Sequence, residues 1–121
     1  MQKPIQQMKI LLVDDDSLEI FLSLKILRME FQAEGFKSLP EAITWAKSNE
    51  FDVLVSDNYI SNNVQAADVL KAMIEVKGKT FKSVVLTNHA DDQMKTTIFR
   101  AGFDGIIDKP LSLDKLKAAI S

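Results

Sequence analysis

Four short runs of branched and aromatic residues divide this chain at intervals too long for hairpins: Ile10-Leu11-Leu12-Val13, Phe51 to Asp57, Phe81 to Thr87 and Phe103 to Asp108. Continuous apolar runs of that length read as strands buried on both faces rather than half-exposed ones. Between them lie segments with helical periodicity, the clearest being Ala66, Val69, Leu70, Met73 and Ile74, with Gly78 placed to stop that helix. A fifth, mixed run from Phe31 to Phe36 contains Gly35 and reads as a second strand with a turn. Five strands alternating with helices long enough to cross over imply a parallel sheet covered on both faces, a doubly wound α/β fold.

Local signals place the helices. Ser17 is a candidate N-cap for a first helix reaching about Met29, with Glu19 in its first turn. Ser38 and Pro40 start a second helix ending by Asn49, Asp91 or Asp92 caps the fourth, and Ser112 caps the last, over 112–121. The stretch Asn58 to Asn63 is polar and reads as a loop. The first helix carries Leu18, Ile20, Phe21, Leu22, Leu24, Ile26, Leu27 and Met29, wider than one core stripe needs, so neighbouring helices or a partner must cover the surplus.

At 121 residues, 46% hydrophobic and 26% charged, the chain is expected to be a single domain over 1–121, with residues 1–7 a polar N-terminal extension. The absence of cysteine excludes disulfides and thiolate chemistry and permits a cytoplasmic home. No apolar run approaches a membrane span, and a net charge of −2 without a basic block argues against direct nucleic-acid binding.

What stands at the strand ends matters most, because parallel sheets bind ligands outside the carboxyl ends of their strands. Asp14, Asp15 and Asp16 follow the first run, Asp57 ends the third strand, Thr87 the fourth, and Lys109-Pro110 follow the fifth. Carboxylates with a lysine and a threonine suit phosphoryl handling with Mg²⁺, a hard cation held by one or two carboxylates plus phosphate oxygens. Lysine supplies charge and threonine a hydrogen bond to phosphoryl oxygens, and a carboxylate is itself a competent acceptor.

This set, in this order, resembles the receiver domains of two-component response regulators, over about Met8 to Ile120. The resemblance implies a flavodoxin-like (βα)5 fold with strand order 2-1-3-4-5, and a cytoplasmic signalling phosphoacceptor rather than a turnover enzyme. It implies that Asp57 accepts a phosphoryl group from a histidine of a sensor kinase or phosphotransfer protein. Asp15 would be a direct Mg²⁺ ligand, Asp14 one acting through water, and the backbone carbonyl of Tyr59 a further ligand. Thr87 and Lys109 would bind phosphoryl oxygens, with Lys109-Pro110 a cis peptide. An effector domain or downstream protein, and a homodimer, are the further partners it implies. Three departures stand out: Ile60-Ser61 with no glycine before Gly78, Asn88 and His89 after Thr87, and Ile106 where the family usually has an aromatic residue.

Simpler readings stand beside these. Asp16 reads as a helix-entry residue, His89 as a surface-loop histidine, Trp45 as packing, and Met94 and Phe99 as core by default. A haloacid-dehalogenase-like phosphohydrolase using Asp14, Asp16 and Ser17 is a competing class, with Thr87 and Lys109 as its later motifs, but only Asp114 follows Lys109 to supply its final acidic pair. A receiver-like module acting by protein contact alone is the other alternative.

Overall fold

The structure, a computed structural model, describes residues 7–61 and 63–121; all but the last residue of the expected N-terminal extension falls outside them. In order the elements are β1 (Lys9–Val13), α1 (Ser17–Leu27), β2 (Gln32–Phe36), α2 (Leu39–Ser48), β3 (Val53–Asp57), β4 (Tyr59–Ser61), β5 (Val64–Gln65), α3 (Ala66–Lys77), β6 (Lys82–Thr87), α4 (Asp92–Ala101), β7 (Gly105–Asp108) and α5 (Leu113–Ile120). Five parallel strands form the main sheet in the order β2-β1-β3-β6-β7. Counting only those strands gives the expected order 2-1-3-4-5.

Alternation along each central strand sends side chains to two separate cores. Leu11, Val13, Leu54 and Val85 face α2, α3 and α4, meeting Ala42, Ala46, Val69, Leu70, Met73 and Ile98. Ile10, Leu12, Val53, Val55, Val84 and Leu86 face α1 and α5, meeting Leu27, Leu116 and Ile120. Both faces are dry, which is why the runs contain no polar alternation. On the first face Trp45 packs between Phe36 and Phe51, with ring centroids 5.7 and 6.2 Å away, and Phe51 meets Phe81 in a tilted contact at 4.9 Å. Ile106, paired with Val85 across β6 and β7, packs partly buried against the same core.

Four local expectations need correction. The cap of α1 is Asp16, not Ser17: its carboxylate accepts from the amides of Leu18 at 2.9 Å and Glu19 at 3.1 Å. The helix ends at Leu27 rather than Met29. Gly35 makes no turn but lies within β2, where a Cβ would come within 2.8 Å of Ile20 Cγ2; its bareness lets α1 lie close on the strand.

The fourth lies in Asn58 to Asn63. β4 and β5 form a small antiparallel pair there, with Asn63 in the left-handed region at φ 64°. Tyr59 and Ser61 are exposed and Ile60 between them is fully buried. That is a two-residue alternation, hidden in the sequence by polar neighbours.

The N-cap assignment carries a test. Asp16→Ala is expected to lower the unfolding free energy by about 1 kcal/mol, the usual worth of a lost cap. Ser17→Ala should change it little, and urea titration of both variants measures the difference.

Candidate functional site

β1 and β3 are adjacent and parallel, so their carboxyl ends bring Asp14 and Asp57 to one edge of the sheet. Asp14 is almost fully buried; its amide donates to the Phe36 carbonyl at 3.1 Å, and its Oδ1 accepts from the Asp16 amide at 3.0 Å. Lys109 enters from the far side, directly after β7 and before a cis Lys109-Pro110 peptide, its amide held by the Thr87 carbonyl at 2.8 Å. Its Nζ lies 2.8 Å from Asp57 Oδ1 and donates at 3.1 Å to each carboxylate oxygen of Glu19. Carboxylate oxygens of Asp14, Glu19 and Asp57 lie within 4.8 Å of one another.

Crowding carboxylates where little water reaches them raises the pKa of Asp14 and Asp57. Burial, then the neighbouring charges of Asp57 and Glu19, outweigh the Asp16 amide and push Asp14 up from 3.8 to about 7. Burial also raises Asp57, despite the opposing contact with Lys109. For Lys109 burial pulls the other way, and the bonds to Asp57 and Glu19 outweigh it, leaving its pKa above 10.5. The physical result is a cluster of hard oxygen donors with excess negative charge, a donor set that fits a divalent cation such as Mg²⁺ or Ca²⁺.

The site residues expected from the sequence fall into two groups. Asp14, Asp57 and Lys109 converge. Asp15 is exposed and outside the close carboxylate group, and Tyr59, two residues past Asp57, opens β4 with its ring exposed. Thr87 is buried at the end of β6, with its hydroxyl donating to the His89 carbonyl at 3.3 Å. His89 is exposed, as a surface-loop residue should be. Asp16 spends its carboxylate on the α1 cap, and Asp114 is exposed on α5, so the hydrolase reading loses both its second acid and its later one.

Glu19 is the residue that sequence reasoning missed. Its position in the first turn of α1 explained it as a helix-dipole partner. A helix that starts at Ser17, with only three residues between it and β1, also sets its first turn over the strand ends. The unassigned acid five residues after Asp14 was the available signal.

Beside the cluster a groove of about 610 Å³ runs between α1 and the segment after β7, lined by Asp14, Glu19, Leu22, Ile26, Asn88 and Lys109 among others. On the same helix Leu18, Phe21 and Leu22 are half or more exposed. The surplus apolar face of α1 is therefore not covered by neighbouring helices.

Comparison with known proteins places the geometry in context. The family description of the response regulator receiver domain matches residues 10–121. The chain is similar to a response regulator from Burkholderia pseudomallei solved with a phosphorylated aspartic acid, a calcium ion and citrate. That protein is 18% identical with a TM-score of 0.82, over 94% of this chain and 66% of that one, just under two thirds of its length. It is also similar to the chemotaxis protein CheY4 of Vibrio cholerae, 23% identical with a TM-score of 0.82, over 93% and 94% of the two chains. The non-phosphorylated HemR receiver domain of Leptospira biflexa is 26% identical with a TM-score of 0.73, over 93% and 94%.

Proposed function

Because the chain belongs to the response regulator receiver domain family, we propose that it is a phosphoacceptor switch in which Asp57 takes a phosphoryl group from a phosphohistidine. The observation that carries this reading is the placement of Asp57 at the end of a buried strand, 2.8 Å from Lys109 and among further carboxylates. A carboxylate oxygen of Asp57 attacks phosphorus, the P–N bond to the donor imidazole breaks, and the imidazole leaves with the electron pair. The donor is a sensor histidine kinase or a histidine phosphotransfer protein.

Asp14, Asp15 and Asp57, with the Tyr59 carbonyl, would hold Mg²⁺. When bound, Mg²⁺ offsets the charge of the phosphoryl oxygens beside these acids. Lys109 supplies a fixed cation for one phosphoryl oxygen, and the Thr87 hydroxyl turns from the His89 carbonyl to donate to another. Asn88 stands beside the groove and restricts water there, which lengthens the life of the acyl phosphate. The domain signals by changing contacts rather than by turning over an external substrate. Its output passes to an effector domain, a downstream protein or a second copy, in the cytoplasm where kinase catalytic domains face it. With Ile106 in place of an aromatic ring, that output does not rest on ring rotation.

No helix among the described residues is long and apolar enough to cross a membrane. The exposed Leu18, Phe21 and Leu22 suit docking against the helical bundle of the donor, next to the acceptor. Incubation with Mg²⁺ and acetyl phosphate should add one phosphoryl mass to the intact protein, in a form lost on treatment with base. No adduct would overturn the reading. Phe21→Ser with Leu22→Ser should slow transfer from a phosphohistidine protein about tenfold or more. Labelling by acetyl phosphate should stay the same, and equal rates from the phosphoprotein would remove the docking role of α1.

A further inference from the structure

Glu19 has no part in the phosphoacceptor chemistry above, yet its carboxylate reaches within 4.8 Å of those of Asp14 and Asp57 from the first turn of α1. A lysine ammonium has three N–H donors. Here Lys109 directs them to Glu19 Oε1 at 3.1 Å, Glu19 Oε2 at 3.1 Å and Asp57 Oδ1 at 2.8 Å. None is left for a phosphoryl oxygen. Glu19 keeps this position although its carboxylate is within 4.8 Å of those of Asp14 and Asp57, a crowding of acids that the lysine offsets.

We propose that Glu19 occupies, in the resting domain, the place on Lys109 that a phosphoryl group takes after transfer, making it a positioning residue that sets how readily Asp57 is phosphorylated. The inference rests on the phosphoacceptor reading of Asp57. A phosphoryl group on Asp57 brings about −1.5 to −2 of charge. Both that charge and the Glu19 carboxylate need the same ammonium, so one must leave. Glu19 is the one free to go. Its side chain is 40% exposed against 16% for Lys109 and 14% for Asp57, and it belongs to the first turn of α1, where its own chain can swing outward without moving the sheet. Asp14 cannot make the same exchange, because it is buried and held by the Asp16 amide. Release of Lys109 also removes the one link among the described ion pairs between the phosphoryl site and α1. Arrival of the phosphoryl group is thereby felt at the base of the helix that carries Leu18, Phe21 and Leu22.

Glu19→Gln keeps size and helix position and removes the charge. The probe is beryllofluoride, a non-covalent tetrahedral mimic of a phosphoryl group, titrated into wild type and variant at saturating Mg²⁺, with the Mg²⁺ affinity of each measured separately. The expected result is beryllofluoride affinity about tenfold higher in Glu19→Gln, the worth of one charge-assisted contact no longer contested. Acetyl phosphate should also label the variant faster. Glu19→Asp, which keeps the charge but is one methylene shorter, should fall between the two. Unchanged or weaker beryllofluoride binding in Glu19→Gln overturns the inference. Weaker binding together with weaker Mg²⁺ affinity would make Glu19 a cation ligand instead. Wild type that binds no beryllofluoride and takes no phosphoryl group would overturn the phosphoacceptor reading itself, and this inference with it.

Discussion

Asp57→Asn is expected to reduce labelling by acetyl phosphate to background while leaving the domain folded. An amide oxygen does not carry the charge that makes a carboxylate a phosphoryl acceptor. The other nearby acids do not replace it: Asp14 is almost fully buried, and both Glu19 oxygens are engaged by Lys109. Stability separates loss of chemistry from loss of structure. The substitution removes one of three clustered carboxylates and leaves Lys109 its two contacts with Glu19. Burial holds Asp57 above its ordinary pKa, so its charge is a cost to the metal-free fold. The variant should therefore unfold at the same urea concentration as wild type or a higher one. An adduct that survives Asp57→Asn would assign the acceptor role to another side chain.

The second large effect is on stability against pH. In the metal-free domain Asp14 stands at about 7 against an ordinary 3.8. Between those values the folded state keeps a proton that the unfolded state has lost, so unfolding free energy falls as pH rises. The slope from one such group is up to about 1.4 kcal/mol per pH unit. Asp57, raised in the same direction, adds to the loss. Lys109, raised above 10.5, contributes stability throughout that window and loses it only at more alkaline pH. Asp14→Asn should flatten the slope relative to wild type in the presence of a chelator. Mg²⁺ should do the same in wild type, by binding the ionised acids and adding about 2.7 kcal/mol at one hundred times its dissociation constant. A wild-type slope equal to that of Asp14→Asn in chelator would remove Asp14 from this role.

The sheet was readable because its strands are dry on both sides. Runs such as Ile10 to Val13 and Val53 to Val55 admit no polar residue, and the acids that follow mark where the strands leave the core. The positions of Asp14, Asp57, Thr87 and Lys109 followed from that alone. What escaped depends on contacts between distant segments. Glu19 meets Lys109 across 90 residues of chain, and nothing near either one signals the pairing. The β4 and β5 pair escaped because its buried residue, Ile60, and the partly buried Val64 are separated by polar residues. The shift of the α1 cap from Ser17 to Asp16 is a contest between adjacent residues with similar capping ability, decided by where the strand releases the chain.

The aromatic stack around Trp45 bears on how all these changes are measured. Trp45 is the sole tryptophan, and the ammonium of Lys9 lies 5.3 Å from its ring centroid. Lys9 opens β1, whereas Phe36, which packs on the same indole at 5.7 Å, ends β2 and accepts at its carbonyl from the amide of Asp14. Ultraviolet emission from this protein is therefore a gauge of denaturation, with Phe36 joining the indole to the edge of the sheet that carries the carboxylates. Titrations in urea can be followed by that signal directly, and the exposed Phe21 on α1 is the position to convert to tryptophan when events at the helix itself are to be followed.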